Sequence, residues 1–361
     1  MKVAIIGAGA VGLGGAALLR QRGHEPLLWS PSLAREAGGT RAHVEAEGAI
    51  TGAQEVEIAP SCGAAVQKAD VVFVAVPGFA HQELMDAFCP LLAPGKPVII
   101  SSHCSLSGLY LAERRAAAGR PGPVVALGTT VTTGRRRGPL SVRVGDVRAR
   151  VDLTALPAAA TTGALDLCVE LFGERFATRD GLVAISLTNI NPQNHMAMAL
   201  CNLTRIENGE AWGNFDGITG AVGRLIEALD RERLALAAAF GVTVRTVREH
   251  FEKSFDLPPA SVAEMSAVLA CRPGAPMGPV SLDTRYVLED VPYGLVPTER
   301  LAAIAGVAVP LHSAGIELFC GLYGRDFRSE NTLLKDLGLT DPGLSGLTVA
   351  ALNDRLDKAG R

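Results

Sequence analysis

Short runs of apolar residues alternate with segments of helical periodicity in the first half of the chain. Runs that are apolar throughout predict strands buried on both faces, because a solvated face carries polar residues at every second position. Such strands are predicted at residues 3–6, 26–29, 71–76, 98–100 and 124–127. Helices are predicted at residues 10–22, 81–92, 106–118 and 161–172. This alternation predicts an α/β fold with a parallel, doubly wound sheet of Rossmann type.

The pattern changes near residue 180, where long helical periods replace the strands. Just before this change, residues 141–153 alternate apolar and polar positions, which predicts an antiparallel hairpin that closes the sheet edge. The helices predicted beyond it cover residues 194–207, 218–240, 244–250 and 261–269. We therefore expect a Rossmann-type dinucleotide-binding domain over residues 1–184 and an all-α domain over residues 185–361.

Composition and charge exclude several classes of protein. With 48% hydrophobic and 20% charged residues, most of the chain is expected to fold. A net charge of −3 gives no electrostatic reason to expect nucleic acid or an anionic membrane as partner. The seven cysteines contain no CxxC pair, so we predict neither disulfides nor a metal site, and we expect a reducing, cytoplasmic location. No apolar run suits a membrane helix, since the one at residues 3–19 is rich in glycine.

A GxGxxG motif lies between the first predicted strand and the first predicted helix. Its residues include Gly7, Gly9, Ala10, Val11 and Gly12. The first glycine permits a tight turn, the second lets a pyrophosphate approach the backbone, and the third lets the helix pack closely. The phosphates then lie at the positive end of the helix. The motif in this context predicts a dinucleotide site, against a merely close-packed turn.

The end of the second predicted strand bears on the choice of dinucleotide. NAD enzymes usually carry a carboxylate there for the ribose 2′-hydroxyl, whereas Ser30 and Ser32 occupy the region here. Both serines can donate to a 2′-phosphate, and Arg35 or Arg41 could neutralise it, unless these arginines are simply solvated. The sequence therefore favours NADP(H) and leaves NAD(H) open.

The strand predicted at residues 71–76 ends in Val76 and Pro77. A strand that ends in this way usually lies beneath the ribose and nicotinamide. Val76, Pro77 and Gly78 are therefore predicted to form a wall of the cofactor site, the alternative being an ordinary strand and turn. We expect His81 to begin a helix without a role in chemistry.

His195 lies where the first helix of the second domain is predicted to begin. Asn191 can cap this helix and Pro192 suits its first turn. Because the positive helix end disfavours an imidazolium, a proton-donating His195 requires a carboxylate partner. The alternative is a histidine with only structural hydrogen bonds at a domain junction.

Residues 285–294 mix charge, tyrosine and proline between two helical stretches. Asp290 could orient His195 and stabilise its charge, while Arg285 offers a bidentate fork for a substrate carboxylate. The alternative is a solvent-facing loop with a local Arg–Glu pair. For Trp212, lining a pocket and packing within a domain are equally open.

Residues 191–202 (NPQNHMAMALCN), 207–233 and 285–297 (RYVLEDVPYGLVP) resemble the opine dehydrogenases. With the GxGxxG motif, the resemblance extends over most of the chain. It implies a Rossmann domain followed by a helical domain, and reductive condensation of an L-amino acid with a 2-oxo acid such as pyruvate, through an imine, using NAD(P)H. It also implies that His195 and Asp290 are the catalytic pair and that Arg285 binds the oxo acid.

Two other functions remain open at this stage. A 2-oxo acid reductase similar to ketopantoate reductases or glycerol-3-phosphate dehydrogenases would give a hydroxy acid, but those enzymes use a lysine in the helical domain. In this sequence only Lys253 lies within the long helical core, and it lies in a polar stretch, so the lysine mechanism has no good candidate here. A redox-sensing module that binds NAD(P) without turnover would not need the His, Asp and Arg residues together. The sequence does not identify the amino acid substrate, and it leaves open whether the protein forms a homodimer.

Overall fold

A computed structural model describes residues 1–340 and 346–360 of the chain. The described residues form two compact units, one of residues 1–186 with 352–360 and one within residues 187–351. The end of the chain thus departs from the predicted helical domain of residues 185–361. Arg355 accounts for this difference, since its Nη2 donates to Glu113 Oε2 in the first unit over 2.8 Å. Leu352 and Leu356 are buried beside it.

The first unit contains one mixed sheet. Its strands are β1 Lys2–Ile6, β2 Glu25–Trp29, β3 Arg41–Gly48, β4 Gly52–Ile58, β5 Val71–Val74, β6 Val98–Ile100, β7 Val124–Leu127, β8 Thr132–Gly138, β9 Ser141–Val147, β10 Val151–Leu156 and β11 Phe176–Thr178. Their order is β11-β10-β7-β6-β5-β1-β2-β4-β3-β9-β8. The strands from β7 through β4 are all parallel. The five strands predicted from apolar runs lie in this parallel centre, which confirms the Rossmann-type fold.

The hairpin predicted over residues 141–153 is wrong. The structure divides this segment between opposite ends of the sheet, because β9 pairs with β8 and β3, whereas β10 pairs with β7 and β11. The antiparallel hairpin at the sheet edge is instead formed by β8 and β9. The alternation matches the buried positions Val142 and Val144 of β9, whereas every residue of β10 is buried. The alternation carries no information about the partner strand.

Helices cover the sheet. They are α1 Ala10–Gln21, α2 Pro31–Ala37, α3 Cys62–Lys68, α4 His81–Phe88, α5 Ser107–Ala117 and α6 Thr161–Phe172, and α7 Gly181–Thr188 leads into the second unit. Close contact between α1 and the sheet depends on glycine, because a Cβ at Gly14 would lie 2.7 Å from Thr132 Oγ1. The tilted rings of Phe73 and Phe172, 5.3 Å apart, join the sheet to α6.

The second unit is helical. Its helices are α8 Asn191–Cys201, α9 Leu203–Glu207, α10 Gly220–Ala239, α11 Val247–Phe255, α12 Val262–Ala270, α13 Arg285–Leu288, α14 Val296–Ala305, α15 Pro310–Tyr323 and α16 Thr332–Asp336, and α17 Val349–Lys358 leads into the first unit. The long helix predicted at 194–207 is divided at Asn202, whose Nδ2 donates to the carbonyls of Met198 and Gly217. The helix predicted at 244–250 begins later, after a capping box of Thr246 and Glu249.

Every helix within residues 1–340 and 346–360 is too short or too polar to cross a lipid bilayer.

Candidate active site

The strand order creates a crevice at the carboxyl ends of β1 and β5. Successive strands run outward from β1 through β2 and β4 on one side, and from β5 through β6 and β7 on the other. A reversal of this kind is where open α/β sheets bind ligands. Gly7 follows β1, and Val76 and Pro77 follow β5, so the GxGxxG motif and the predicted cofactor wall meet here. A Cβ added to Gly7 would lie 2.8 Å from Val76 Cγ1.

The three motif glycines have three different surroundings. Gly7 has a φ of +118°, and a Cβ there would meet the Ala75 carbonyl oxygen at 2.4 Å. At Gly12 a Cβ would lie 1.9 Å from the Gly7 carbonyl oxygen, whereas at Gly9 it would meet no heavy atom of the described chain within 4 Å. Gly7 and Gly12 are therefore required by the fold itself. Gly9 leaves a space that a bound phosphate group could occupy.

The first turn of α1 is open to an anion. No side chain caps it, no acidic residue lies in it, and Ala10 and Val11 are only partly buried. Free amide groups at a helix start carry partial positive charge and bind phosphate. Together with the space at Gly9, this arrangement fits the pyrophosphate of a dinucleotide.

The end of β2 contains the predicted adenosine-side residues. Ser30 caps α2, since its Oγ accepts a hydrogen bond from the Leu33 amide over 3.3 Å, and it lies 3.3 Å from Ser32 Oγ. The hydroxyl proton of Ser30 is not used by the cap. Arg35 is exposed in the last turn of α2, whereas Arg41 forms an ion pair with Glu55. Of the two predicted arginines, Arg41 therefore already has an acidic partner.

His81 supports the wall formed by Val76 and Pro77. As predicted, it begins α4, but it is also fully buried, with Nε2 3.2 Å from the Val76 carbonyl oxygen and Nδ1 3.8 Å from Cys104 Sγ. Burial lowers the pKa of His81 to about 4, although the hydrogen bond to Val76 acts in the opposite direction. The ring is therefore neutral at physiological pH, and its Nε2–H donates to the Val76 carbonyl.

In the second unit, the structure brings His195 and Asp290 together across 95 residues of sequence. Nδ1 of His195 lies 2.6 Å from Asp290 Oδ2, and the side chains are 14% and 9% exposed. Because a carboxylate only accepts hydrogen bonds, Nδ1 carries the proton and Nε2 is the nitrogen left for other contacts. His195 lies in the first turns of α8, as predicted. The predicted cap is wrong, since Asn189 Oδ1, and not Asn191, accepts a hydrogen bond at the helix start.

Two further side chains complete this arrangement, and no role for either could be predicted from the sequence pattern. The ring of Tyr286 stacks on the His195 imidazole with centroids 3.7 Å apart and an angle of 5° between the planes. Asn214 Nδ2 donates to the Tyr286 hydroxyl over 2.6 Å. Tyr286 lies within the segment that was singled out for its composition, but a stacking partner leaves no periodic or spacing signal. Asn214 lies 72 residues away.

The segment 285–294 is helical, so the alternative of a solvent-facing loop is wrong. Arg285 begins α13, and Asp290 precedes a π-helix at Val291–Leu295. The Arg285 side chain is 61% exposed, with Nε 3.7 Å from Glu289 Oε2, so a local Arg–Glu pair does form. Binding of an oxo acid by Arg285 stays a prediction. Trp212 is a packing residue, because it is buried and its Nε1 donates to the Pro279 carbonyl over 2.9 Å.

Comparison with known families supports the division into two units. Residues 178–323 match the family model described as NAD/NADP octopine/nopaline dehydrogenase, alpha-helical domain. Residues 3–157 match the family model of ketopantoate reductase PanE/ApbA. The chain is also 32% identical to an opine dehydrogenase of Arthrobacter sp. (strain 1C), with 98% of each chain covered.

Solved structures show the same fold. An octopine dehydrogenase in complex with NADH and agmatine superposes with a TM-score of 0.80 at 18% identity, covering 99% of this chain and 98% of that one. A yersinopine dehydrogenase with NADP⁺ bound gives a TM-score of 0.66 at 17% identity, covering 100% and 99%. These two similar structures hold different nicotinamide cofactors.

Proposed function

Since the chain belongs to the opine dehydrogenase family and is an NAD(P)-dependent oxidoreductase, we propose that it condenses the amino group of an L-amino acid with a 2-oxo acid and reduces the product. The addition of amine to the oxo carbon gives a carbinolamine, which loses water to form an imine. A hydride, added to the imine carbon, and a proton, added to the nitrogen, then convert the imine to a secondary amine dicarboxylate. The net reaction consumes one NAD(P)H and one proton and releases one water.

The observation that carries the proposal is the pairing of His195 with Asp290 at 2.6 Å. With Nδ1–H bonded to the carboxylate, the opposite nitrogen of a protonated His195 is the donor toward substrate. It gives its proton to the carbinolamine hydroxyl, which makes water the leaving group. Asp290 stabilises the imidazolium before the transfer and keeps the ring oriented after it.

Arg285 is proposed to bind the carboxylate of the oxo acid. Its guanidinium is mostly exposed, and its contact with Glu289 at 3.7 Å is a long ion pair. An exposed pair of this kind contributes at most about 1 kcal/mol, so a bidentate carboxylate can replace it at small cost. Glu289 would then limit Arg285 to rotamers near α13 when substrate is absent.

The residues of the first unit fit a dinucleotide, with the open first turn of α1 and the space at Gly9 holding the pyrophosphate. When bound, the reduced nicotinamide supplies the hydride for the imine carbon. We propose NADP(H) as the preferred form, because Ser30 stands where NAD enzymes carry a carboxylate, and the Ser30–Ser32 pair has a hydroxyl proton beyond the one that the pair shares, which can donate to a 2′-phosphate. Arg35, exposed on the same helix, provides a positive charge nearby.

A second candidate function is supported by the match of residues 3–157 to ketopantoate reductases. In that case an oxo acid alone would be reduced, and His195 would protonate the developing alkoxide. The match covers the dinucleotide-binding region and not the helical unit that contains His195. The opine reaction is therefore the better supported of the two.

The experiment that separates them follows NADPH oxidation at constant pyruvate or glyoxylate, with and without each amino acid of a panel. The opine reaction requires that oxidation depend on the amine and that mass spectrometry detect the secondary amine product. Rapid oxidation without amine, with a hydroxy acid as product, would establish the second candidate function instead.

A further inference from the structure

The face of the His195 ring is covered by a second aromatic ring. Tyr286 lies parallel to it, with 3.7 Å between centroids and 5° between planes. The hydrogen bond to Asp290 fixes the position of Nδ1, but a single bond lets the ring rotate about the line through that atom. A parallel ring in van der Waals contact opposes this rotation, because any tilt brings the two rings into collision.

Tyr286 is itself held at both ends. Its backbone amide donates to Thr284 Oγ1 over 3.3 Å, which caps the short helix α13. Its hydroxyl accepts a hydrogen bond from Asn214 Nδ2 over 2.6 Å. Asn214 is buried, and its own backbone amide donates to the Pro276 carbonyl over 2.8 Å. The tyrosine ring is therefore a fixed surface and not a mobile neighbour.

Resting on the proposed function, we infer that Tyr286 is a positioning residue for the reaction, which holds the His195 ring so that Nε2 faces the substrate, and that Asn214 keeps Tyr286 in place. The ring face also carries the negative part of its quadrupole, which stabilises a positive charge on the imidazole during proton transfer. Asp290 and Tyr286 have separate tasks. The carboxylate fixes Nδ1, and the aromatic face fixes the plane of the ring.

Two variants of Tyr286 separate the ring face from the hydroxyl. Tyr286→Leu removes the face, and kcat for amine-dependent NADPH oxidation should fall about 10- to 100-fold, the loss expected when a reacting group moves by ~1 Å. The KM for the oxo acid and the Kd for NADPH should change less than about two-fold, since uniform binding is unaffected. Tyr286→Phe keeps the face and loses only the bond from Asn214, while the Thr284 cap and the stack on His195 still hold the ring, so kcat should stay within about three-fold of the parent.

Tyr323→Leu is the matched control. Tyr323 is partly buried in the same unit, and its hydroxyl is likewise hydrogen-bonded, since it donates to the Leu282 carbonyl over 3.1 Å. It should lose a similar amount of stability and keep kcat. A parent-like kcat in Tyr286→Leu would overturn the inference, and so would a Tyr286→Phe variant as slow as Tyr286→Leu.

A spectroscopic measurement tests the same stack without turnover. In the free protein, the His195 ring resonances, identified by their absence in His195→Gln, should show a ring-current shift that Tyr286→Phe keeps and Tyr286→Leu loses. The same His195 ring shifts in the parent, Tyr286→Phe and Tyr286→Leu would contradict the positioning role. If oxidation did not depend on amine, the proposed function would fail, whereas this spectrum and kcat with the oxo acid alone would still decide the role of Tyr286.

Discussion

A methyl group added at Gly9 of the GxGxxG motif should weaken binding of the cofactor without preventing folding. At Gly9 an added Cβ meets no described heavy atom within 4 Å, and the backbone, with φ −76° and ψ −176°, accepts any residue. Gly9→Ala should therefore fold. Its stability should fall by only about 0.5–1 kcal/mol, because alanine is a poorer N-cap than glycine.

The same methyl group should strongly reduce affinity for NADPH. It fills the space next to the free amides of α1, where a phosphate oxygen would otherwise approach. A charge-assisted hydrogen bond contributes roughly 1.5–3 kcal/mol, so lengthening one or two of them costs about 3 kcal/mol. This value corresponds to a Kd roughly 100-fold higher. Fluorescence titration with NADPH measures the affinity, and thermal unfolding measures the stability.

Two controls make the result specific. Gly12→Ala places a Cβ 1.9 Å from the Gly7 carbonyl oxygen and should destabilise the protein by several kcal/mol, the upper range for overpacking. Gly321→Ala adds a methyl group to α15, with no described atom within 4 Å, and should leave NADPH binding unchanged. If folded Gly9→Ala binds NADPH as tightly as the parent, the space at Gly9 does not hold a phosphate. If Gly9→Ala unfolds as readily as Gly12→Ala, Gly9 is required by the fold itself.

Three further predictions concern cofactor choice, substrate binding and pH. Ser30→Asp should shift cofactor preference from NADPH toward NADH, because aspartate repels a 2′-phosphate, and it should keep stability, because aspartate also caps helices. Equal use of both cofactors by the parent would contradict the preference for NADPH. Arg285→Lys should raise the KM for the oxo acid at least about ten-fold, through loss of the paired hydrogen bonds, with the KM for NADPH unchanged; steady-state kinetics decide this. Burial lowers the pKa of His81 to about 4 and the pKa of His103 to about 3. Below about pH 6.5 each histidine binds a proton in the unfolded chain but stays neutral in the folded protein, so the free energy of unfolding falls as the pH falls. Urea unfolding measures how steeply the free energy of unfolding changes with pH. Between pH 6 and 4, His103→Gln should reduce this pH dependence by about 1.4 kcal/mol per pH unit, and an unchanged pH dependence would show that His103 is charged in the folded state.

The parts of the fold that could be predicted from sequence are those set by local patterns. Apolar runs identified the parallel strands at the sheet centre, since burial on both faces leaves no polar position in the run. The strands β3 and β8 escaped prediction because they carry charged residues on their exposed faces, as in HVEAEG and RRRG. The partner of β9 could not be predicted, because register between distant segments depends on tertiary packing.

The site shows the same division. The GxGxxG glycines could be assigned separate tasks from their order, and Asp290 could be proposed as the partner of His195 from the composition of residues 285–294, a pairing that the family resemblance also implies. Tyr286 and Asn214 could not be found, because an aromatic face and an amide 72 residues apart form one unit only after the helices pack. Ser30 illustrates a third case, in which the sequence indicated a ligand contact and the structure adds a helix cap.

The most direct test of the central claim is a double-mutant cycle on His195 and Asp290, measured as kcat for amine-dependent NADPH oxidation. Asp290→Asn and His195→Ala should each lower kcat by roughly 10²–10⁴-fold, the usual contribution of a general acid, while circular dichroism and NADPH affinity stay at parent values. The double variant should be little slower than either single variant, because the two side chains, 2.6 Å apart, act as one unit. Losses that multiply in the double variant would show that the two residues act independently, and would contradict this account of the reaction.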